Sequence, residues 1–155
     1  DTIEAIAGEK AGIIAENTPV VFWDTSHEAT GVIVKKAKQL SAQYYPVSKN
    51  DYTYLNFKNK TIDFSYHSRY YDYVRLCLDT TAFYQMENAA LALRTAELLF
   101  PDGLIVPEVM QRAVFRTHWS GRMEEVCPNV FVDGAHNEAG IRAFLDSVRR
   151  DECNG

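Results

Sequence analysis

PVVFWDTSHEATGVIVKKAKQLSAQ, residues 19–43, is the stretch that decides the fold class. Pro19 to Trp23 is a short apolar run ended by polar residues, the signature of a buried strand. Asp24, Thr25 and Ser26 follow with side chains suited to capping a helix N-terminus. From His27 to Gln43 the period changes to that of a helix, with Ile33, Ala37 and Leu40 on one face. Working backwards, Ile3, Ile6, Ala7, Lys10 and Ala11 also recur at helical spacing, and Gly12 ends or weakens that helix. Helix, strand, helix is the rhythm of an α/β domain.

Past Tyr44 the rhythm changes. Residues 52–78 are rich in Tyr, Phe, Thr and Val. Asn59-Lys60 separates YTYLNF from TIDFSY and predicts a hairpin turn. YDYVRLCL, residues 71–78, supplies a third strand, so the segment reads as an antiparallel meander. The tyrosines fit half-buried strands better than a base-stacking platform. Helix returns from Gln85 to Phe100, with Ala89, Ala90, Ala92, Leu93 and Ala96 close-packed, and Pro101-Asp102-Gly103 ends it. Pro107 opens another helix, where its missing N–H costs nothing, and that helix runs to Phe115.

In THWSGRMEEV, residues 117–126, the helical period stops and Gly121 permits a sharp turn into a strand. Cys127-Pro128-Asn129 is a turn, Val130 to Val132 a short strand, and Ala139 to Arg150 a helix, with no pattern after it. A domain boundary is expected near His118–Gly121, dividing residues 1–118 from 119–155. The second piece is too small to bury a core by itself. The chain also starts without Met inside a helical pattern. Both features create the expectation of an incomplete polypeptide, cut within two domains.

Composition narrows the functional classes. The 155 residues are 46% hydrophobic and 24% charged, the balance of a globular domain with a core. A net charge of −5 argues against nucleic acid, whose phosphates call for excess Lys and Arg. Cys77, Cys127 and Cys153 are widely spaced and form no metal pattern, so reduced thiols in the cytoplasm are expected. No apolar run reaches the ~20 residues that span a bilayer, so no membrane partner is expected.

Four segments could carry chemistry. VFVDGAHNEAG, residues 130–140, runs strand, tight turn, helix. Ligands collect at the carboxyl ends of such strands, and the following helix N-terminus suits a phosphate. Asp133 can accept from ribose hydroxyls and His136 can donate to a phosphate. The plainer reading makes Asp133 and Asn137 turn and cap residues and His136 a surface histidine. Arg122, in SGRME, has the planar fork that matches phosphate, against the alternative of a surface arginine paired with Glu124 or Glu125. Lys10, in EKAG, is ordinarily a dipole-compensating residue at a helix end. With a lowered pKa its amine would react with carbon dioxide to give a carbamate able to ligate magnesium. Asn88, early in its helix, could read an adenine edge or simply decorate the helix start.

Taken in order, DTIEAIAGEKAGI (1–13), YQMENAALA (84–92), SGRME (120–124) and DGAHNEAG (133–140) resemble the folylpolyglutamate synthases of the Mur ligase superfamily across essentially the whole chain. The resemblance implies the end of a Mur-type central ATP-binding domain, with a partial three-layer sheet, over residues 1–118. It implies the start of a Rossmann-like C-terminal, glutamate-ligase domain over residues 119–155. ATP and Mg2+ would lie between them. Lys10, when carbamylated, would hold a second magnesium. Asn88 would lie beside the adenine, Arg122 would reach the phosphates, and Asp133 and His136 would face the nucleotide. The implied reaction is ATP-dependent ligation of L-glutamate to the γ-carboxylate of a folate, through an acyl phosphate. The substrate would be tetrahydrofolate, or dihydropteroate in a bifunctional dihydrofolate synthase.

Some of the family pattern is not in these residues. No GxxxxGK[ST] phosphate loop occurs, nor does the family's magnesium-binding histidine, and Tyr84 stands where many relatives carry His. Little or no ligase activity is therefore expected of these residues alone. The alternatives are another Mur-type amino-acid ligase, or a non-catalytic nucleotide-binding or interaction module. An open sheet edge further suggests a dimer.

Overall fold

The computed structural model describes residues 2–101 and 103–154, with side chains through Arg150. The expected turn at Asp102 and the thiol of Cys153 lie outside the described residues. Contacts gather the chain into two compact units, residues 1–50 and 51–155.

The first unit is helix, strand, helix, strand. Helix α1 (Ile3–Ala11) is capped by Thr2, whose hydroxyl accepts the Ala5 N–H at 3.2 Å. Strand β1 (Val20–Trp23) leads to α2 (His27–Gln39), capped by Ser26 through the Ala29 N–H at 3.2 Å. Strand β2 (Tyr44–Val47) then pairs parallel to β1, with Val20 opposite Tyr44 and Trp23 opposite Val47. Two parallel strands joined through a helix make a βαβ unit. Its core holds Ala11, Ile14, Ala37 and Ala42, with Val20, Ile33 and Leu40 packed against them. The α2 face expected from periodicity is thus the buried one. Helix α2 stops four residues before the expected Gln43, because Ser41 takes a positive φ of 51° and turns the chain into β2.

The second unit opens with the expected meander. Strands β3 (Tyr52–Lys58), β4 (Thr61–Tyr66) and β5 (Val74–Leu78) form an antiparallel sheet in that order. Asn59 and Lys60 connect the first two with φ of 52° and 60°, the left-handed pair that matches strand twist in a two-residue hairpin. Central β4 places Ile62, Phe64 and Tyr66 fully inside. Strand β5 begins at Val74, three residues later than expected. The tyrosine-rich segment before it is turn, with the Tyr71 hydroxyl donating to Gly103 O at 2.9 Å.

Helix α3 (Gln85–Leu99) carries the buried Glu97, which anchors the sheet-to-turn junction. Its carboxylate accepts from Tyr66 OH at 2.9 Å, Ser68 OH at 2.5 Å and the Arg69 N–H at 3.1 Å. Helix α4 (Pro107–Arg116) starts on Pro107 and donates from Gln111 to the Arg75 carbonyl of β5 at 3.1 Å. Strands β6 (Glu124–Cys127) and β7 (Val130–Val132) form an antiparallel hairpin turned by Pro128-Asn129. Helix α5 (Glu138–Asn154) follows and extends past the expected Arg150. It is tied to the approach to α3 by Ser147, whose fully buried hydroxyl accepts the Phe83 N–H at 3.0 Å. The result is the expected mixed α/β fold with an antiparallel meander. The expected boundary at His118–Gly121 falls within the second unit.

Candidate functional site

A turn with two left-handed residues builds the site. Gly121 has φ 71°, which costs glycine little, and Met123 has φ 50°, which costs a side chain more. Glu124 steadies the turn by accepting the Gly121 N–H at 2.6 Å. Asp133 steadies Met123 by accepting its N–H at 2.9 Å. The turn is thus locked onto the end of β7.

Asp133 is the hub. Oδ1 accepts the Ala135 N–H at 2.7 Å, an Asx-type turn that reverses the chain towards α5. Oδ2 accepts both the Met123 N–H and the phenol of Tyr84, the latter at 2.5 Å. Burial, followed by the hydrogen bond to Asp133 and its charge, pushes the Tyr84 phenol well above the ordinary tyrosine range. Tyr84 therefore stays a donor at neutral pH.

Gly134 donates to Gly121 O at 2.8 Å, and the Arg122 guanidinium packs against it. Asn137 caps α5 by accepting the Gly140 N–H at 2.8 Å. His136 is exposed, with Nδ1 at 3.0 Å from Gly134 O.

A cavity of about 600 Å³ opens beside this turn. Asn88 and Arg122 both line it. Its floor is the small-residue face of α3, Ala89, Ala92 and Ala96, and Trp119 and Phe131 add aromatic surface. The Asn88 amide donates to Gln85 Oε1 at 2.8 Å, so one of its polar groups is oriented within the helix and the others face outward from an exposed position. Lys60 and Glu125 pair at the rim, and that pairing, with a backbone hydrogen bond from Asn129, holds the Glu125 carboxyl below its usual range. A cavity lined by small apolar side chains, an amide and a guanidinium can take a planar ring joined to an anion.

Four of the five residues singled out from sequence therefore lie in the second unit. Asn88 and Arg122 share the cavity, Asp133 binds the turn that carries Arg122, and His136 sits one turn further on. Lys10 lies in the first unit, exposed in the last turn of α1. Sequence reasoning missed Tyr84 as a partner of Asp133, and Trp119 and Phe131 as cavity walls. An aromatic beside SGRME was the one visible signal for Trp119. Among the described residues no three His, Cys, Asp or Glu gather closely enough to hold a metal ion. Among the same residues no helix is long and apolar enough to cross a membrane.

No family model matches the chain. It is 34% identical over 164 residues to the dihydrofolate synthase/folylpolyglutamate synthase of Bacillus subtilis, covering 99% of this chain and 37% of that protein. The chain is homologous to a segment of the folylpolyglutamate synthases. The folylpolyglutamate synthase of Lacticaseibacillus casei is 27% identical over 96% of this chain and 36% of its own length. The chain thus spans little more than a third of the curated relatives it matches. Solved folylpolyglutamate synthases agree in fold. An FPGS–AMPPCP–folate complex superposes with a TM-score of 0.83 at 26% identity, covering 97% of this chain and 38% of that one. The Mycobacterium tuberculosis folylpolyglutamate synthase, complexed with ADP and AMPPCP, gives 0.78 at 25% identity over 96% of this chain and 35% of that one.

Proposed function

We propose that this chain forms the nucleotide-facing part of an ATP-dependent ligase that adds L-glutamate to the γ-carboxylate of folates. The observation that carries the reading is the cavity shared by Asn88 and Arg122, in a chain homologous to folylpolyglutamate synthases. Residues 1–118 would be the end of the central ATP-binding domain and residues 119–155 the start of the glutamate-ligase domain.

Each residue then has a physical task. Adenine lies on the Ala89–Ala96 face, with the Asn88 amide at its edge and Trp119 against its plane. Asp133 accepts from the ribose. Arg122 neutralises phosphate charge as the γ-phosphoryl moves to the folate carboxylate. The glutamate amine then attacks the acyl phosphate and phosphate leaves. His136, exposed at the start of α5, contributes positioning and positive potential at a helix N-terminus. Lys10, as a carbamate, would give one carboxylate to a magnesium ion. Magnesium, when bound, supplies further neutralisation of phosphate charge. Work in the cytoplasm fits the free thiols of Cys77 and Cys127. Pairing of open strand edges would make a dimer, which sedimentation at rising concentration tests.

The decisive assay is labelled glutamate incorporation into tetrahydrofolate, or formation of dihydrofolate from dihydropteroate, with ATP and magnesium. It uses the natural polypeptide that carries this chain, in parallel with Asp133→Ala. Activity that collapses in the variant supports the reading. Turnover of a cell-wall precursor instead, or nucleotide binding without any ligation, sinks it.

A further inference from the structure

Asp133 is held by donors from three separate segments. The Tyr84 phenol comes from the residue before α3, the Met123 N–H from the turn after α4, and the Ala135 N–H from the turn after β7. A carboxylate offers about four lone-pair sites. Two of those on Oδ2 and one on Oδ1 are used, which leaves one site on Oδ1. The carboxylate plane is fixed by this arrangement, because rotating it would break bonds on both oxygens at once.

Without the phenol the picture changes. Each oxygen would keep one backbone donor, and an open lone pair on Oδ2 would compete with Oδ1 for any incoming hydroxyl. The phenol also links two elements. Tyr84 directly precedes the helix that carries Asn88, four residues on, in the next turn. The helix that carries Asn88 and the Asp133 carboxylate are thus linked by a hydrogen bond across 49 residues of sequence.

We infer that Tyr84 is a positioning residue for nucleotide binding. Its hydroxyl occupies Oδ2 of Asp133 so that Oδ1 alone meets a ribose hydroxyl, and it holds that carboxylate in register with Asn88. The inference rests on the proposed reading that Asp133 faces the ribose. It goes beyond that reading by giving the discrimination of ribose from deoxyribose to a side chain that does not touch the sugar.

Equilibrium binding of ATP, 2′-deoxy-ATP and 3′-deoxy-ATP to the natural polypeptide and to Tyr84→Phe tests this. The wild type should prefer ATP over at least one deoxy analogue by about tenfold, the size of one good hydrogen bond to a charged group. Tyr84→Phe should bind ATP about tenfold more weakly, bind that deoxy analogue as before, and so lose the preference. A purely structural role would weaken all three nucleotides alike. Tyr84→His, whose ring N–H can donate, should regain part of the preference, and it serves if the Phe variant does not fold. A folded Phe variant that keeps the wild-type preference, or a folded His variant that weakens all nucleotides equally, overturns the inference while leaving the ligase reading intact. A wild type that binds no ATP overturns both.

Discussion

The guanidinium of Arg122 lies where a side chain on residue 134 would have to go: a Cβ built on Gly134 would stand 2.0 Å from Nη1 and 3.2 Å from Cζ. The backbone beneath is fixed, since the Gly134 N–H donates to Gly121 O at 2.8 Å. Glycine at this position is therefore not explained by a positive φ. It is explained by a cation that passes over its Cα, which ties the spelling of SGRME to that of DGAHN.

Gly134→Ala should consequently damage binding more than folding. The clashing atoms are the far end of a flexible arginine, so Arg122 can swing away at a cost within about 1 kcal/mol. Its phosphate contact would be lost with it. ATP affinity should fall about tenfold, while the urea midpoint moves little. Calorimetric titration with ATP beside urea unfolding checks both halves. Wild-type affinity in a folded Gly134→Ala protein would show that Arg122 works from another position.

Glu97 tests the interior of the second unit. It is 1% exposed and accepts from Tyr66, Ser68 and the Arg69 N–H, with Arg94 nearby and itself bonded to Asp51 at 2.8 Å. Glu97→Leu strands the buried Tyr66 hydroxyl and takes the same acceptor from Ser68 and the Arg69 N–H nearer the surface, so a loss of about 3 kcal/mol is expected. Glu97→Gln keeps the shape and one acceptor oxygen and should cost less. Equal losses for the two, read from urea unfolding, would mean that the charge both variants remove, and not the acceptor oxygen that Gln retains, governs the site.

Ser147 offers a smaller, local effect. Its fully buried hydroxyl accepts from the Phe83 N–H and donates to Ala143 O at 3.0 Å, joining α5 to the segment that leads into α3. Ser147→Ala leaves the Phe83 N–H buried without that partner, a cost of about 1–3 kcal/mol. Amide exchange at Phe83 should quicken far more than exchange in β4. Unchanged protection at Phe83 would contradict this docking role.

How much of this was legible in the sequence depends on the range of the forces involved. Helices α1 to α5 and the Asn59-Lys60 hairpin are local events, set by caps, periodicity and turn chemistry, and they were readable within a few residues. Strand β2 was not, because YYPV is short, contains Pro46, and owes its extended form to parallel pairing with β1 across 24 residues. The delayed start of β5 has the same origin, since its pairing with β4 begins at Val74 opposite Tyr66, and Tyr71 before it is held by Gly103, 32 residues on. The site divides in the same way. Asp133, His136 and Arg122 sit in turns that announce themselves by glycine and by residue type. Tyr84 meets Asp133 only after α3 and the β6–β7 hairpin are both in place, and no spacing in the chain encodes that.

Alkaline pH should expose the buried phenols. Burial, with Glu87 adding to it and Arg150 opposing it, pushes Tyr52 up to about 12. Tyr66 is raised further, by burial first and then by Glu97 against the opposing Arg94, and Tyr84 is raised by burial and Asp133. In the unfolded chain all three would ionise near the ordinary value of about 10. A phenol whose folded pKa is raised contributes stability that is complete below pH ~10, declines as pH rises through the folded value, and is gone above it. Stability should therefore fall steadily above pH ~10, well before these three groups ionise in the native state. Of the nine tyrosines, Tyr52, Tyr66 and Tyr84 should develop tyrosinate absorbance only as the fold is lost. Tyr66→Phe should remove one late-titrating group, and the far-ultraviolet circular dichroism should then hold to higher pH if the lost Glu97 bond costs less than the ionisation it avoids. Titration of Tyr52, Tyr66 and Tyr84 near pH ~10 with the circular dichroism intact would show that these phenols are open to water.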